Sequence, residues 1–552
     1  MRFRTHIKDY RHENRLFVLR AIQAAVFVFL LLIILIARLI FLQVYQHETY
    51  STLSKENRVK LVAVPPTRGL IFDRNGELLA ESQPSYSLEI TPERVRDIDN
   101  TINALATLVA IDEIDRKRFY RTKARRPSFE GIPIRLKLSD EEVASIAVNL
   151  HKLPGVEIVA RLVRHYPRGT HSAHAIGYVG RISEKELQTF SAEKDANYRA
   201  TNHIGKSGIE KHYEDLLHGK VGVQQVEINA RGRVLRKLES VPAVPGKNLY
   251  LTIDSKLQKI AEDALGDENG AVVAIVPKTG EVLVFASQPG YEPNLFVNGI
   301  DHKTYRAYSD DENRPLYNRP LYGRYPPGST IKPFVALAGL ETNTIGLEHT
   351  AYCPGYYQLP GSTHKYRCWK HVGHGTVGIN KAIVNSCDVF FYDLARSMKI
   401  DPLHDYMVQF GFGQKTGIDL LDTRYEPSGL FPSRAWKRGA HQLPWYPGET
   451  LITGIGQGFT LVTPLQLAAA TATLANGGKL IKPRLLLETE DIRTGEKTRS
   501  KPEFIQSMPH KDKTNWDQVF ESMKQVVHSP TGTARRINKD LKYTIAGKTG
   551  TA

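Results

Sequence analysis

A chain of 552 residues with 41% apolar and 24% charged side chains has the composition of a globular protein of about three domains, which excludes a disordered or fibrous one. The formal net charge of +16 and pI near 9.4 invite a nucleic-acid reading, but no basic recognition helix, zinc-finger spacing or aromatic-basic RNA motif accompanies them. An exported domain near anionic lipid and polymer accounts for the charge without nucleic acid as a partner.

The first element in chain order is an apolar run over residues 21–37 that continues after Arg38 through Leu39-Ile-Phe-Leu42. It is long enough to span a bilayer if Arg38 snorkels to an interface. Arg2, Arg4, Lys8, Arg11, Arg15 and Arg20 precede it against Asp9 and Glu13, so the positive-inside rule predicts a cytoplasmic N-terminus with everything beyond residue 45 outside. No small-residue cleavage site follows, and residues 1–45 are therefore expected to be a cytoplasmic tail and an uncleaved single-pass anchor.

Residues 46–245 read as an extended α/β region without a compact catalytic signature. Val64 to Leu79 predicts strand, turn, strand, with Asn75-Gly76 as the hairpin signal. Arg68, Asp73 and Arg74 sit around that turn as a site or, preferably, an ion-pair brace. Residues 111–130 predict a charged helical lobe, His165 to Gly169 a turn, and Gly205 to Leu217 a capped amphipathic helix. A boundary is expected at Pro245-Gly246, opening a domain over residues 246–552. There the pattern predicts a strand at Asn248–Ile253, a helix from Ser255 to Leu265, and a hairpin across Pro277-Lys-Thr-Gly280. Mainly helices follow to about residue 480, then strands. That order describes an α+β domain, an antiparallel sheet with helices packed on it.

Within the helical block, Tyr325-Pro-Pro-Gly-Ser-Thr-Ile-Lys-Pro-Phe334 is a turn running into an apolar helix. Pro333 has no N–H and fits the first helical turn, which places Ser329 at the helix start and Lys332 on the same face. A hydroxyl one turn from an amine, at the positive end of a helix dipole, is a candidate activated nucleophile. A serine N-cap with a nearby surface lysine gives the same pattern, so further residues must decide.

Those residues are Ser386-Cys-Asp388 and Lys548-Thr-Gly-Thr551. With Ser329-Thr-Ile-Lys332 they resemble, in order and spacing, the motif set of the penicillin-binding transpeptidases. Pro66-Thr-Arg-Gly-Leu-Ile-Phe-Asp-Arg-Asn-Gly76, Gly205-Lys-Ser-Gly-Ile-Glu210 and the run Gly454 to Leu465 are similar to the class B, monofunctional branch. Trp436-Lys437 and Trp445-Tyr-Pro-Gly-Glu-Thr450 resemble its elongation-type group, penicillin-binding protein 2. The resemblance implies a membrane anchor, an α/β pedestal and a serine β-lactamase-like transpeptidase domain. It implies a catalytic set of Ser329 (nucleophile), Lys332 (base), Ser386 (proton relay), Asp388 and Lys548, with Thr549, Gly550 and Thr551 receiving substrate and the N–H groups of Ser329 and Thr551 as oxyanion hole. Asp388 stands where many relatives carry Asn. Expected partners are peptidoglycan stem peptides, lipid-linked nascent glycan, a SEDS-family glycan polymerase, rod-complex proteins and β-lactams, at the bacterial inner membrane with the catalytic domain periplasmic. A division-type transpeptidase, a penicillin sensor and a scaffold are the rival readings. Lys278-Thr-Gly280 repeats the third motif, but turn chemistry accounts for it.

The three cysteines fall between residues 353 and 387 and read Cys353-x14-Cys368-x5-His374-x12-Cys387. Three thiolates and one imidazole would close a tetrahedral structural zinc site. A disulfide with one spare thiol, or simple burial, competes with zinc, and His371 or His364 could replace His374. The catalytic step itself needs no metal. The sequence stops at Ala552, directly after the third motif, whereas the family fold continues with further strands and a helix; a truncated record is expected, with the Lys548 segment as an unpaired edge strand.

Overall fold

The computed structural model describes residues 10–46, 59–124, 128–129, 131–228, 234–420 and 423–551. The chain divides into two compact units. The smaller holds the helix Tyr10–Ile40, which runs on as a π-helical turn Phe41–Tyr45. Residues 14–45 have a mean hydropathy of 3.1 in their most apolar window and are long and apolar enough to cross a membrane. Of the basic residues expected to orient it, Arg2, Arg4 and Lys8 lie outside the described residues. The same unit has a three-stranded antiparallel sheet with Gly222–Ile228 between Val59–Val64 and Val234–Val241.

In the larger unit a seven-stranded mixed sheet runs in the order Lys497–Arg499, Leu486–Glu490, Asn248–Leu251, Ile71–Phe72, Leu78–Ile90, Ile132–Arg135, with Val156–His165 also pairing Leu78–Ile90. The Asn75-Gly76 hairpin forms as expected between Ile71–Phe72 and Leu78–Ile90. Leu249 lies opposite Ile71 in parallel pairing, so one sheet spans the boundary expected at residue 245. At its far end Leu88, Ile90, Phe119, Ile132 and Ile146 form a separate core under the helices Ile98–Ala106, Glu113–Lys123 and Asp140–Asn149.

The segment after Gly205 is not one capped amphipathic helix. It makes two short turns, Gly208–His212 and Glu214–His218, broken at Tyr213, and Ser207 makes no side-chain cap. The break turns two carboxylates inward. Glu210 accepts from Arg68 (Nη2 2.5 Å), Arg164 (Nε 2.6 Å) and the Tyr166 hydroxyl (3.2 Å), and Glu214 from Arg68 (2.6 Å), Tyr198 (2.5 Å) and the Gly205 N–H (2.9 Å). Arg68 is therefore a brace, and Asp73 caps the backbone of Asn75, Glu77 and Ser255.

The main core surrounds the helix Lys332–Glu341, all ten residues of which are buried. Such a helix needs apolar neighbours on every side; Asp388–Met398, Ile400–Gln409 and Lys513–His528 supply them. The last of these corrects the expectation that only strands follow residue 480. It is a 16-residue helix capped by Asp512 that buries Trp516, Val519, Met523 and Val526. The Gly270–Ile275/Val282–Gln288 hairpin forms across Pro277 to Gly280 as expected, which leaves Lys278-Thr-Gly280 in a turn.

Removing one partner of a buried ion pair leaves an uncompensated charge, at a cost of about 3–5 kcal/mol. Glu210→Gln is expected to lower the urea midpoint of unfolding accordingly, whereas Glu157→Gln, at the exposed pair with Arg94, should leave it within error.

Candidate active site and a cysteine–histidine cluster

Gly328 to Ile331 form a 3-10 turn that leads directly into the buried helix, with Pro333 in its first turn. Ser329 is half-buried on that turn. Two close backbone approaches fix it. A Cβ on Gly328, whose φ is +55°, would lie 2.3 Å from the Thr551 carbonyl oxygen, and one on Gly456 would lie 2.3 Å from the Gly328 oxygen. The Gly328 N–H in turn donates to the Gly456 carbonyl at 2.9 Å. The serine turn thus lies between the third motif on one side and the Gly454–Gly458 loop on the other.

Lys332 is fully buried, and its Nζ meets Asp388 Oδ1 at 2.7 Å, the Ser386 carbonyl at 3.0 Å and Ser386 Oγ at 3.2 Å. Lys548 Nζ donates to the same Ser386 Oγ at 2.9 Å and to the Thr549 carbonyl at 2.8 Å. One hydroxyl therefore bridges two amines. Ser386 reaches this position in the left-handed region, φ 52°, which is uncommon for a side-chain-bearing residue and clusters at functional sites. Asp388 opens the helix Asp388–Met398, where the dipole favours a negative charge. Its second oxygen, Oδ2, accepts the Trp369 N–H at 3.0 Å. Both oxygens act as acceptors, a pattern a carboxylate meets and an amide does not.

Burial, and then the Lys332 charge, push the Lys548 amine down to about 7, with Asp388 offsetting part of the shift. The 548–551 segment forms no strand; side chains and single backbone bonds hold it. Gly547 N–H donates to the Met523 carbonyl at 3.0 Å, and Thr549 Oγ1 bonds Thr533 Oγ1 at 3.0 Å.

Residues 270–552 match the penicillin-binding protein transpeptidase domain, and residues 63–251 the penicillin-binding protein dimerisation domain. The chain belongs to the penicillin-binding protein transpeptidase family. It is 42% identical to the peptidoglycan D,D-transpeptidase MrdA of Escherichia coli K12, over the whole of this chain and 87% of the relative. Among solved structures it is similar to a complex between penicillin-binding protein 2 and MreC from Helicobacter pylori (31% identity, TM-score 0.78, 90% of this chain and 89% of the other). It is also similar to a chain from a peptidoglycan synthase complex that coordinates polymerization and crosslinking (30% identity, TM-score 0.70, 97% and 88%).

Two features of this family member were not derivable from motif order. The first is the packing of the 350–378 segment, expected as part of a helical block. It makes two small hairpins, Thr350–Cys353 with Gly375–Gly378 and Tyr356–Gln358 with Lys365–Arg367. They bring Cys353, Cys368, His374 and Cys387 together, all buried, with ligand atoms within 4.8 Å of one another. Cys353 Sγ and Cys368 Sγ lie 3.6 and 3.5 Å from His374 Nδ1. A tetrahedral zinc centre with Zn–S of about 2.3 Å and Zn–N of about 2.0 Å has S···N edges of about 3.5 Å. The donor set fits the metal. The hydrogen bond shared by Cys368 and Cys387 pulls the Cys368 thiol down and pushes Cys387 up. All three cysteines are free thiols, and His364 and His371 stand exposed outside the cluster.

The second is Trp369, next to Cys368. Its indole N–H donates to the Asn385 (2.9 Å) and Ser386 (3.1 Å) carbonyls while its backbone holds Asp388. No motif marks it in the sequence. The Trp436-Lys437 and Trp445 motifs meet in space: Lys437 is buried, pairs with Glu449 and lies 4.4 Å from the Tyr446 ring centroid.

The depressed Lys548 gives a sign for pH dependence. Its folded value near 7 lies below the unfolded value of about 10.4, so the unfolded chain binds more protons between them and stability rises with pH across that window. Comparing unfolding free energies of wild type and Lys548→Met from pH 6 to 10 should show this rise in the wild type alone.

Proposed function

We propose that the chain is an elongation-type peptidoglycan D,D-transpeptidase that works through a Ser329 acyl-enzyme. The observation that carries this reading is the single hydroxyl of Ser386 bridging Lys332 and Lys548, beside a serine turn locked against the third motif. Ser329 Oγ attacks the carbonyl of a stem peptide's terminal D-Ala-D-Ala and passes its proton to Lys332 Nζ. The Ser386 hydroxyl relays a proton to the departing D-Ala amine, and Lys548, near 7, is matched to proton exchange at neutral pH. The acyl ester is then attacked by an amine of a neighbouring stem peptide. That amine's proton returns through the same relay, which frees Ser329 and leaves an amide crosslink. The backbone N–H groups of Ser329 and Thr551 face the developing oxyanion, and Lys548, Thr549, Gly550 and Thr551 receive the substrate carboxylate and backbone. A β-lactam is captured by the same attack.

The anchor helix supports a single-pass protein with its N-terminus cytoplasmic and its catalytic part outside the inner membrane. The complexes formed by the similar proteins support a rod-complex partner and a SEDS-family glycan polymerase as partners here. Cys353, Cys368, His374 and Cys387 would hold a structural zinc, whose chemistry is to tie the hairpins carrying Trp369 to the second motif.

Intact-mass measurement after penicillin exposure should show one adduct on Ser329 and none in Ser329→Ala; labelling that persists in the variant would refute the nucleophile. Metal analysis of purified protein should find one zinc per chain. Cys387→Ser should lose it and melt at lower temperature, and metal-free wild type with a Cys353–Cys368 crosslink would replace zinc by a disulfide.

A further inference from the structure

A cavity lined by none of the residues around Ser329 lies mostly in the region that matches the dimerisation domain. Its volume of about 760 Å³ falls within the roughly 300–1,000 Å³ of small-ligand sites. Seven arginines line it against one acid, Asp195. Some are neutralised from behind: Arg118 by Asp115, Arg161 by Glu89, Arg164 by Glu210. Arg121 and Arg181, by contrast, meet no carboxylate among the described residues, and Arg199 has only the 4.0 Å approach of Asp195. Burial, then the charges of Arg118 and Arg121, hold the Arg181 guanidinium below its ordinary range. Buried Arg164 keeps its Nη2 without a partner, and His203 on the same wall keeps Nε2 without one. A fold that gathers guanidiniums from several elements and leaves donors unpaired is built for anionic oxygens, which the planar fork grips in pairs. The remaining wall is mixed, with Leu136, Leu162 and Leu187 beside Ser82, Ser85 and Asn202, and the volume is far larger than a phosphate requires.

We infer that this cavity is a second, non-catalytic recognition site for a carboxylate-rich peptide the size of one stem peptide, gripped through Arg121 and Arg181. The inference rests on the transpeptidase reading for the ligand's identity. It means that cell-wall polymer is held at two places on one chain, only one of which reacts.

The test is calorimetric titration of the full-length protein in detergent micelles with the disaccharide tetrapeptide released from purified cell wall. Binding should persist in Ser329→Ala and weaken at least about tenfold in the double variant Arg121→Glu/Arg181→Glu. It should also weaken as salt rises. If the double variant does not fold, Arg121→Gln alone should weaken binding in the same direction. No binding, binding indifferent to these substitutions, or equal binding of a tetraglutamate peptide or of inorganic pyrophosphate would each overturn the inference. Equal binding of tetraglutamate would assign the cavity to an acidic protein segment instead. Penicillin adduct formation on the same samples separates the two claims: an intact Ser329 adduct without muropeptide binding removes only the cavity site, and the reverse result removes only the nucleophile.

Discussion

A buried lysine nitrogen is the constraint on which the catalytic region depends. Lys332 has no exposed surface, and a polar group taken out of water is tolerated only when it finds hydrogen-bond partners. Three acceptors are present, Asp388 Oδ1 and the carbonyl and hydroxyl of Ser386. To present two of them Ser386 must turn left-handed, and to present the third Asp388 must begin a helix. Trp369 then fixes the free oxygen of Asp388 and the carbonyl of Ser386. Trp369 thereby links the segment around the cysteine cluster to the surroundings of that lysine.

How much of this was legible depends on how local each signal is. The serine turn was readable because Pro333 and the apolar run after it admit only a helix start there. The four metal-type side chains were readable as a set, but their convergence was not, since it requires Cys353 to pair with Gly375 and Cys368 to bond Gly355, contacts that no spacing rule specifies. The helix Lys513–His528 carries its own signal in the sequence, Asp512 as cap and apolar residues at 516, 519, 523 and 526. The split of the segment after Gly205 was hidden for a different reason: Glu210 and Glu214 look like solvent-facing helix residues until Arg68 and Arg164, distant in sequence, claim them.

The sheet explains why the region before residue 245 and the region after it are not independent. Asn248 Oδ1 accepts the Leu70 N–H, Asp73 caps Ser255, and Arg74 and Arg484 share Glu281. Strand order places Ile71–Phe72 between Leu78–Ile90 and Asn248–Leu251, so the first strand of the later region has its partner in the earlier one. Lys437, buried among Trp445, Tyr446 and Phe459, shows the same economy of satisfaction: its charge is met by Glu449 and by ring faces.

The contact of Gly328 with Thr551 and of Gly456 with Gly328 has a consequence for how such a protein can change over generations. At these positions any side chain displaces the main chain that carries Ser329, the proposed nucleophile, so on that proposal inherited variants there would forfeit activity along with drug capture. Selection by an antibiotic is thereby channelled to exposed side chains around the site, of which Trp369, beside the second motif, is one. Tolerance gained in that way would alter how the drug is met while leaving the reacting backbone as it is.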